Sequence, residues 1–138
     1  IFAGYYKSPD KTAESFDEEG WFHSGDVGEV RPDGSVRIID RAKNIFKLVQ
    51  GEYIAPEKLE NIFIQSKLIG QAWVHGDATK DYIVAFLVVD PDHLAAFCKT
   101  KGLSVKDALA SEELRTAVFS EVLTLADVHK LNGLEKPR

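Results

Sequence analysis

Three regimes of hydrophobic and polar positions follow one another along the chain. Residues 1–19 are polar and turn-rich, and SPDKTAESF predicts one short helix with Ser8 as N-cap and Pro9 at its first position. The apolar positions then become strand formers. Val27, Val30, Val36, Ile38 and Ile39 flank Pro32-Asp33-Gly34, so VGEV and SVRIID predict a β-hairpin. NIFKLV and YIA around QGE predict a second hairpin, with Gly51 supplying the positive φ of its turn. From Pro56 the period changes. Leu59, Ile62 and Phe63 recur at i, i+3 and i+4, one face of a helix that starts at a proline. QAWVHG predicts a strand, Asp77 to Asp81 a polar turn, and the continuous apolar run Tyr82 to Asp90 a central strand. PDHLAAFCKTKG predicts a short helix ended by Gly102. Ser111 predicts the cap of a longer helix buried along Leu114, Val118, Val122 and Leu125, with Glu112 and Glu113 well placed in its first turn. The order of hairpins, helix, two strands and two helices predicts an α+β class, a sheet with helices packed on it.

Composition changes this picture in only a few respects. The chain has 138 residues, 44% hydrophobic and 28% charged, enough to build a core. Its net charge of −5 argues against non-specific nucleic-acid binding, which needs basic surface. It leaves room for a nucleotide ligand, which one or two local cations can hold. The single cysteine, Cys98, rules out an internal disulfide framework and suits a reducing compartment. Cys98 and the aromatic pair Trp73 and Phe86 are expected in the core. No apolar run reaches the roughly 20 residues needed to span a bilayer, and no signal peptide is visible. The first residue is Ile1, so the chain is expected to be a piece of something longer.

Two dense stretches carry the candidate chemistry. In GWFHSGDVG, Asp26 follows Ser24-Gly25 in a tight turn before a strand. A carboxylate there can accept hydrogen bonds from the two vicinal hydroxyls of a ribose, or simply cap its own turn. In DRAKNIFKLVQGEY, Lys43 and Lys47 stand four apart, on one face if the segment is a single strand. Together with Arg41 they could meet a phosphate, or they could protect a solvated strand edge. His23 is expected to satisfy local hydrogen bonds. His75 and His129 lack partners at metal-ligand spacing, and His93 is expected to be solvated near a helix start. No metal site is predicted.

EGWFHSGDVGEVRPDGSVRIIDRAK, Glu19 to Lys43, closely resembles the signature segment of the long-chain fatty acyl-CoA synthetases, in the acyl-adenylate-forming superfamily. GYYKSPDKTAESF upstream and NIFKLVQGEYIAPEKLENIF downstream look like the same family, and LNGLEK near the end is similar to it. The likeness is dense from Gly4 to Phe63 and long enough to outweigh a lone short motif. Departures are mild: Val30 stands where Trp is usual, Ala42 where Lys is frequent, and Ser24 where Thr is usual.

The resemblance implies an ATP-dependent, AMP-forming ligase. It activates a fatty acid as its acyl-adenylate and passes the acyl group to coenzyme A. It also implies that residues 1–39 are the end of a large N-terminal adenylation domain, that 40–45 form an interdomain hinge, and that 46–138 are a C-terminal lid truncated at its end. Asp26 and Arg41 would bind ATP or AMP. Asp40 and Lys43 would serve the hinge, Lys47 would be catalytic at the α-phosphate, and Gly51 and Tyr53 would line the coenzyme A passage. Mg2+ would be held mainly by the N-terminal domain. That domain's phosphate loop and the adenylation lysine near the C-terminus are absent here, so these residues alone are expected to be inactive. The partners implied are fatty acid, ATP, coenzyme A and the rest of the same chain, not nucleic acid. Peripheral membrane association stays open, and the expected location is intracellular, in the cytoplasm or on the cytosolic face of an organelle. The alternatives are a coumarate-type or medium-chain ligase of the same superfamily, or a non-catalytic interaction module.

Overall fold

The structure, a computed structural model, describes residues 2–138. Ile1, the start of the predicted segment 1–39, lies outside the described residues. The chain forms two compact units that divide between Lys43 and Asn44.

The first unit contains helix α1 (Pro9–Ser15) and the antiparallel hairpin of β1 (Asp26–Val30) and β2 (Val36–Arg41). The Ser8 side chain does not cap α1. The entry is fastened instead through Thr12, whose hydroxyl donates to the Ser8 carbonyl at 3.0 Å and accepts the Tyr5 N–H at 2.9 Å. The hairpin turn closes as Pro-Asp-Gly predicts. Arg31 N–H donates to the Ser35 carbonyl at 2.8 Å, and Gly34 takes φ 83°. Phe2, Phe16 and Phe22 form a small aromatic cluster with ring centroids 5.1–5.8 Å apart.

The second unit is built on an apolar core. Its elements are β3 (Phe46–Lys47), β4 (Tyr53–Ile54), α2 (Pro56–Phe63), β5 (Ile69–Gly76), β6 (Ile83–Val89), α3 (Pro91–Lys101), α4 (Val105–Leu109) and α5 (Glu112–Val128). Leu59, Ile62 and Phe63 of α2 pack with Val74 and Ile83 of the β5–β6 pair and with Leu114, Val118 and Val122 of α5. α3 begins on Asp90, whose carboxylate accepts the N–H groups of Asp92 and His93, and ends on Gly102 at φ 67°. The α+β class predicted from the hydrophobic pattern is the one observed, with the strands arranged as three separate antiparallel pairs.

The tertiary structure corrects four details. β6 is not a central strand. It runs antiparallel to β5 alone, and its side chains alternate between the core and solvent. Phe86 and Trp73 face each other across that pair on the outer side, 61% and 54% exposed, so they are not core residues. Cys98 is only partly buried. A further helix, α4, starts where the Ser104 hydroxyl accepts the Asp107 N–H at 3.2 Å. Five residues are too few to show a helical period in the sequence.

Candidate functional site

Asp26 and Arg41 are the terminal cross-strand pair of the first hairpin. Their meeting depends on a register shift. From Val30 opposite Val36 the ladder runs regularly to Gly28 opposite Ile38; then one extra residue of β2 is passed over, and Val27 faces Asp40. An unbroken ladder would have set Asp26 against Asp40, two like charges in direct opposition. The bulge sets Asp26 against Arg41, and Arg41 Nη1 lies 3.2 Å from Asp26 Oδ1. It also leaves Asp40 fully buried, with Oδ1 accepting the Arg41 backbone N–H at 2.6 Å. The doublet Ile38-Ile39, which breaks the alternation of β2, is the sequence signal for this bulge.

The turn before β1 is held by its neighbours and not by the Asp26 carboxylate. Asp26 N–H donates to Ser24 Oγ at 3.2 Å, and Ala42 N–H to the Gly25 carbonyl at 2.9 Å with Gly25 at φ 77°. The carboxylate is thereby available to Arg41 and keeps a side-chain exposure of 26%. A carboxylate offers about four acceptor sites, so an ion pair on one oxygen leaves capacity for two hydroxyl donors.

Lys47, Gly51 and Tyr53 come together on the second hairpin. Lys47 pairs with Tyr53 across β3–β4, with Nζ 5.4 Å from the ring centroid. Gly51 has the predicted positive φ, 91°, and a Cβ there would lie 3.5 Å from Lys47 Cε. Gly51 N–H donates to the Leu48 carbonyl and Leu48 N–H to the Glu52 carbonyl, both at 2.9 Å, closing the turn.

Lys43 is not on a strand with Lys47. Residues 42–44 form a turn after β2, so the expected shared face does not exist. Lys43 ends the first unit, Lys47 lies in the second, and the boundary falls inside the segment 40–45.

The histidines have local partners. His23 Nε2 is 3.0 Å from Asp17 Oδ2, and His93 Nδ1 is 3.2 Å from Asp90 Oδ1 rather than simply solvated. His129 Nε2 is 3.0 Å from Gln65 Oε1, and His75 stacks on Trp73. The Trp21 backbone N–H, helped by His23, holds the Asp17 carboxyl below the usual 3.8. Among the described residues no three His, Cys, Asp or Glu side chains gather as a metal site would require, and no helix is long and apolar enough to cross a membrane. Spacing gave no sign of two partly buried carboxylates that act at long range. Glu60 Oε1 accepts the Val74 N–H at 2.8 Å, tying α2 to β5. Lys58 Nζ donates to Glu135 at 2.6 Å, across a separation of 77 residues.

No protein-family model matches the chain. Individual relatives do. Long-chain-fatty-acid–CoA ligase 6 of Rattus norvegicus is 41% identical over 99% of the chain, and the peroxisomal long chain acyl-CoA synthetase 6 of Arabidopsis thaliana is 43% identical over 98%. The chain spans about a fifth of the length of each, 20%. Among solved structures, the adenylation domain of a carboxylate reductase from Mycobacterium chelonae matches with TM-score 0.83 and 33% identity, over 100% of this chain and 20% of that one. The adenylation domain of the carboxylic acid reductase from Segniliparus rugosus, in complex with AMP and a co-purified carboxylic acid, matches with TM-score 0.80 and 36% identity, over the same shares. The likeness takes in both hairpins and every helix, so along its whole length the chain is similar in sequence to a segment of long-chain fatty-acid–CoA ligases and in fold to a segment of adenylation domains.

Proposed function

We propose that the protein of which these residues are part activates long-chain fatty acids with ATP and transfers them to coenzyme A. A free carboxylate is a poor electrophile, which is why activation comes first. A carboxylate oxygen bonds to the α-phosphorus as the bond to pyrophosphate breaks. The deprotonated coenzyme A sulfur then attacks the acyl carbonyl carbon, and AMP leaves with the bonding pair. The observation that carries this reading is the 41% identity to a long-chain ligase over 99% of the chain.

In this reading Asp26 accepts hydrogen bonds from the ribose hydroxyls. Arg41, 3.2 Å from Asp26, aims the carboxylate and brings a cation to the nucleotide. The AMP found in the Segniliparus rugosus relative supports a nucleotide as the ligand. Lys47, on the separate second unit, supplies its ammonium to the phosphate or acyl-phosphate, while Gly51 and Tyr53 border the path of the coenzyme A thiol. Lys43, with Asp40 before it, marks the pivot between the units, so that one site serves both half-reactions in turn. Mg2+ accompanies ATP in such chemistry; no donor cluster for it stands among the described residues.

The test is a full-length preparation given fatty acid, ATP and coenzyme A. Acyl-CoA, AMP and pyrophosphate should appear in equal amounts. Release of orthophosphate, or no thioester at all, would remove the proposal. Lys43→Pro restricts the backbone at the pivot and should change the ratio of the two half-reaction rates; an unchanged ratio would remove the hinge assignment.

A further inference from the structure

The hairpin carrying Lys47, Gly51 and Tyr53 has strands of only two residues each. A ladder that short does not hold its own orientation in water. Leu48 and Ile54 anchor it in the core, and its root and tip are set at the end of the β5–β6 pair. Gly76 is the last residue of β5, and a Cβ placed there would overlap Phe46 Cε2 and stand 2.7 Å from Phe46 Cζ. The φ of Gly76 is not in the left-handed region, so the position demands space rather than an unusual backbone. The Phe46 ring occupies that space and packs against the core. Lys47 is the next residue, and successive side chains of a strand point to opposite faces. The tip of the same hairpin is fastened nearby. Val49 N–H donates to the Lys80 carbonyl at 3.1 Å, and Gln50 Nε2 to the Asp81 carbonyl at 3.5 Å. Root and tip are thus both tied to residues 76–81.

We propose that Gly76 is a positioning residue: its missing side chain seats the Phe46 ring, and the seated ring fixes where Lys47, Gly51 and Tyr53 stand. The consequence for catalysis rests on the ligase reading, whereas the seat itself does not. A methyl group at Gly76 pushes the ring out and frees the root of the hairpin, leaving the Asp26–Arg41 pair on the other unit untouched.

The experiment compares wild type, Gly76→Ala and Gly76→Ala/Phe46→Leu in the full-length protein. Amide hydrogen exchange at residues 46–54 should quicken roughly tenfold or more in Gly76→Ala, with residues 72–75 and the β1–β2 hairpin unchanged. The kcat for acyl-CoA formation should fall roughly ten- to a hundredfold at unchanged KM for ATP, the pattern of a misplaced group rather than a lost nucleotide contact. The smaller leucine in the double variant should restore most of both. Unchanged exchange at residues 46–54, or equal acceleration throughout residues 44–138, overturns the proposal. If Gly76→Ala does not fold, Phe46→Ala empties the seat without a clash and must show the same local acceleration, or the proposal falls. If wild type makes no acyl-CoA, the ligase reading fails and the exchange result alone decides the seat.

Discussion

The two hairpins are built alike and supported differently. Among the described residues of the unit that ends at Lys43, no hydrophobic side chain is fully buried, and the one fully buried side chain is Asp40. Val30, Val36 and Ile38 stand 60–76% exposed. That hairpin takes its form from local chemistry: the turn at Gly34, the bulge beside Gly28, and an aspartate–arginine pair at its end. In residues 44–138 the opposite holds. The second hairpin inserts Leu48 and Ile54 into a continuous core and is seated by Phe46. The contrast teaches that the candidate ribose acceptor depends on register, whereas the candidate catalytic lysine depends on packing. Substitutions should separate the two.

The largest expected effect lies in the packed unit. Phe63 is fully buried, and Phe63→Ala should cost about 3–5 kcal/mol of unfolding free energy, while Ile38→Ala on the first hairpin should stay within about 0.5 kcal/mol. Urea titration of both variants measures the difference, and similar losses would erase the distinction. Next comes Asp26→Ala in the full-length protein. It should weaken ATP binding by about 1–3 kcal/mol through lost charge-assisted hydrogen bonds, with little change in the urea midpoint. Unchanged ATP affinity by calorimetry would remove Asp26 from the nucleotide site. Ser104→Ala deletes a local cap within the packed unit and should cost about 1 kcal/mol; a much larger loss would mean that α4 is held by its cap and not by buried Ala108.

The smallest effect concerns acid, and the two units should share it. Asp17 in the first is held below 3.8 chiefly by the Trp21 N–H, and Asp77 in the second chiefly by the Thr79 hydroxyl. A lowered folded-state pKa means that the stabilisation is fully present above 3.8 and fades as pH falls through the lower folded value. Asp17→Asn and Asp77→Asn should each flatten the acid limb of stability slightly. A variant that steepened it would reverse the sign of the assignment.

Much of this architecture was legible along the chain because its signals are local. Pro9, Pro56 and Pro91 open helices, Gly34 and Gly51 take the turns that need positive φ, and Leu59, Ile62 and Phe63 show a helical face that is buried. Candidate residues such as Asp26, Arg41, Lys47, Gly51 and Tyr53 were also visible, and the structure brings them together in two groups, one per hairpin. What misled was apolar content taken as a measure of depth. Trp73 and Phe86 are large and apolar, yet period-two alternation on a sheet with one covered face sends them outward. Lys43 and Lys47 looked like strand neighbours because no glycine or proline marks the turn that parts them.

The sequence alone therefore determined where helices and turns fall, because those depend on the backbone preferences and periodicity of a few adjacent residues. Only the tertiary structure decided that Asp26 faces Arg41 and not Asp40, that Lys43 and Lys47 belong to different units, and that Gly76 leaves room for Phe46. Each of those depends on register or on contact between residues distant in the chain, which the preferences of a few adjacent residues do not record.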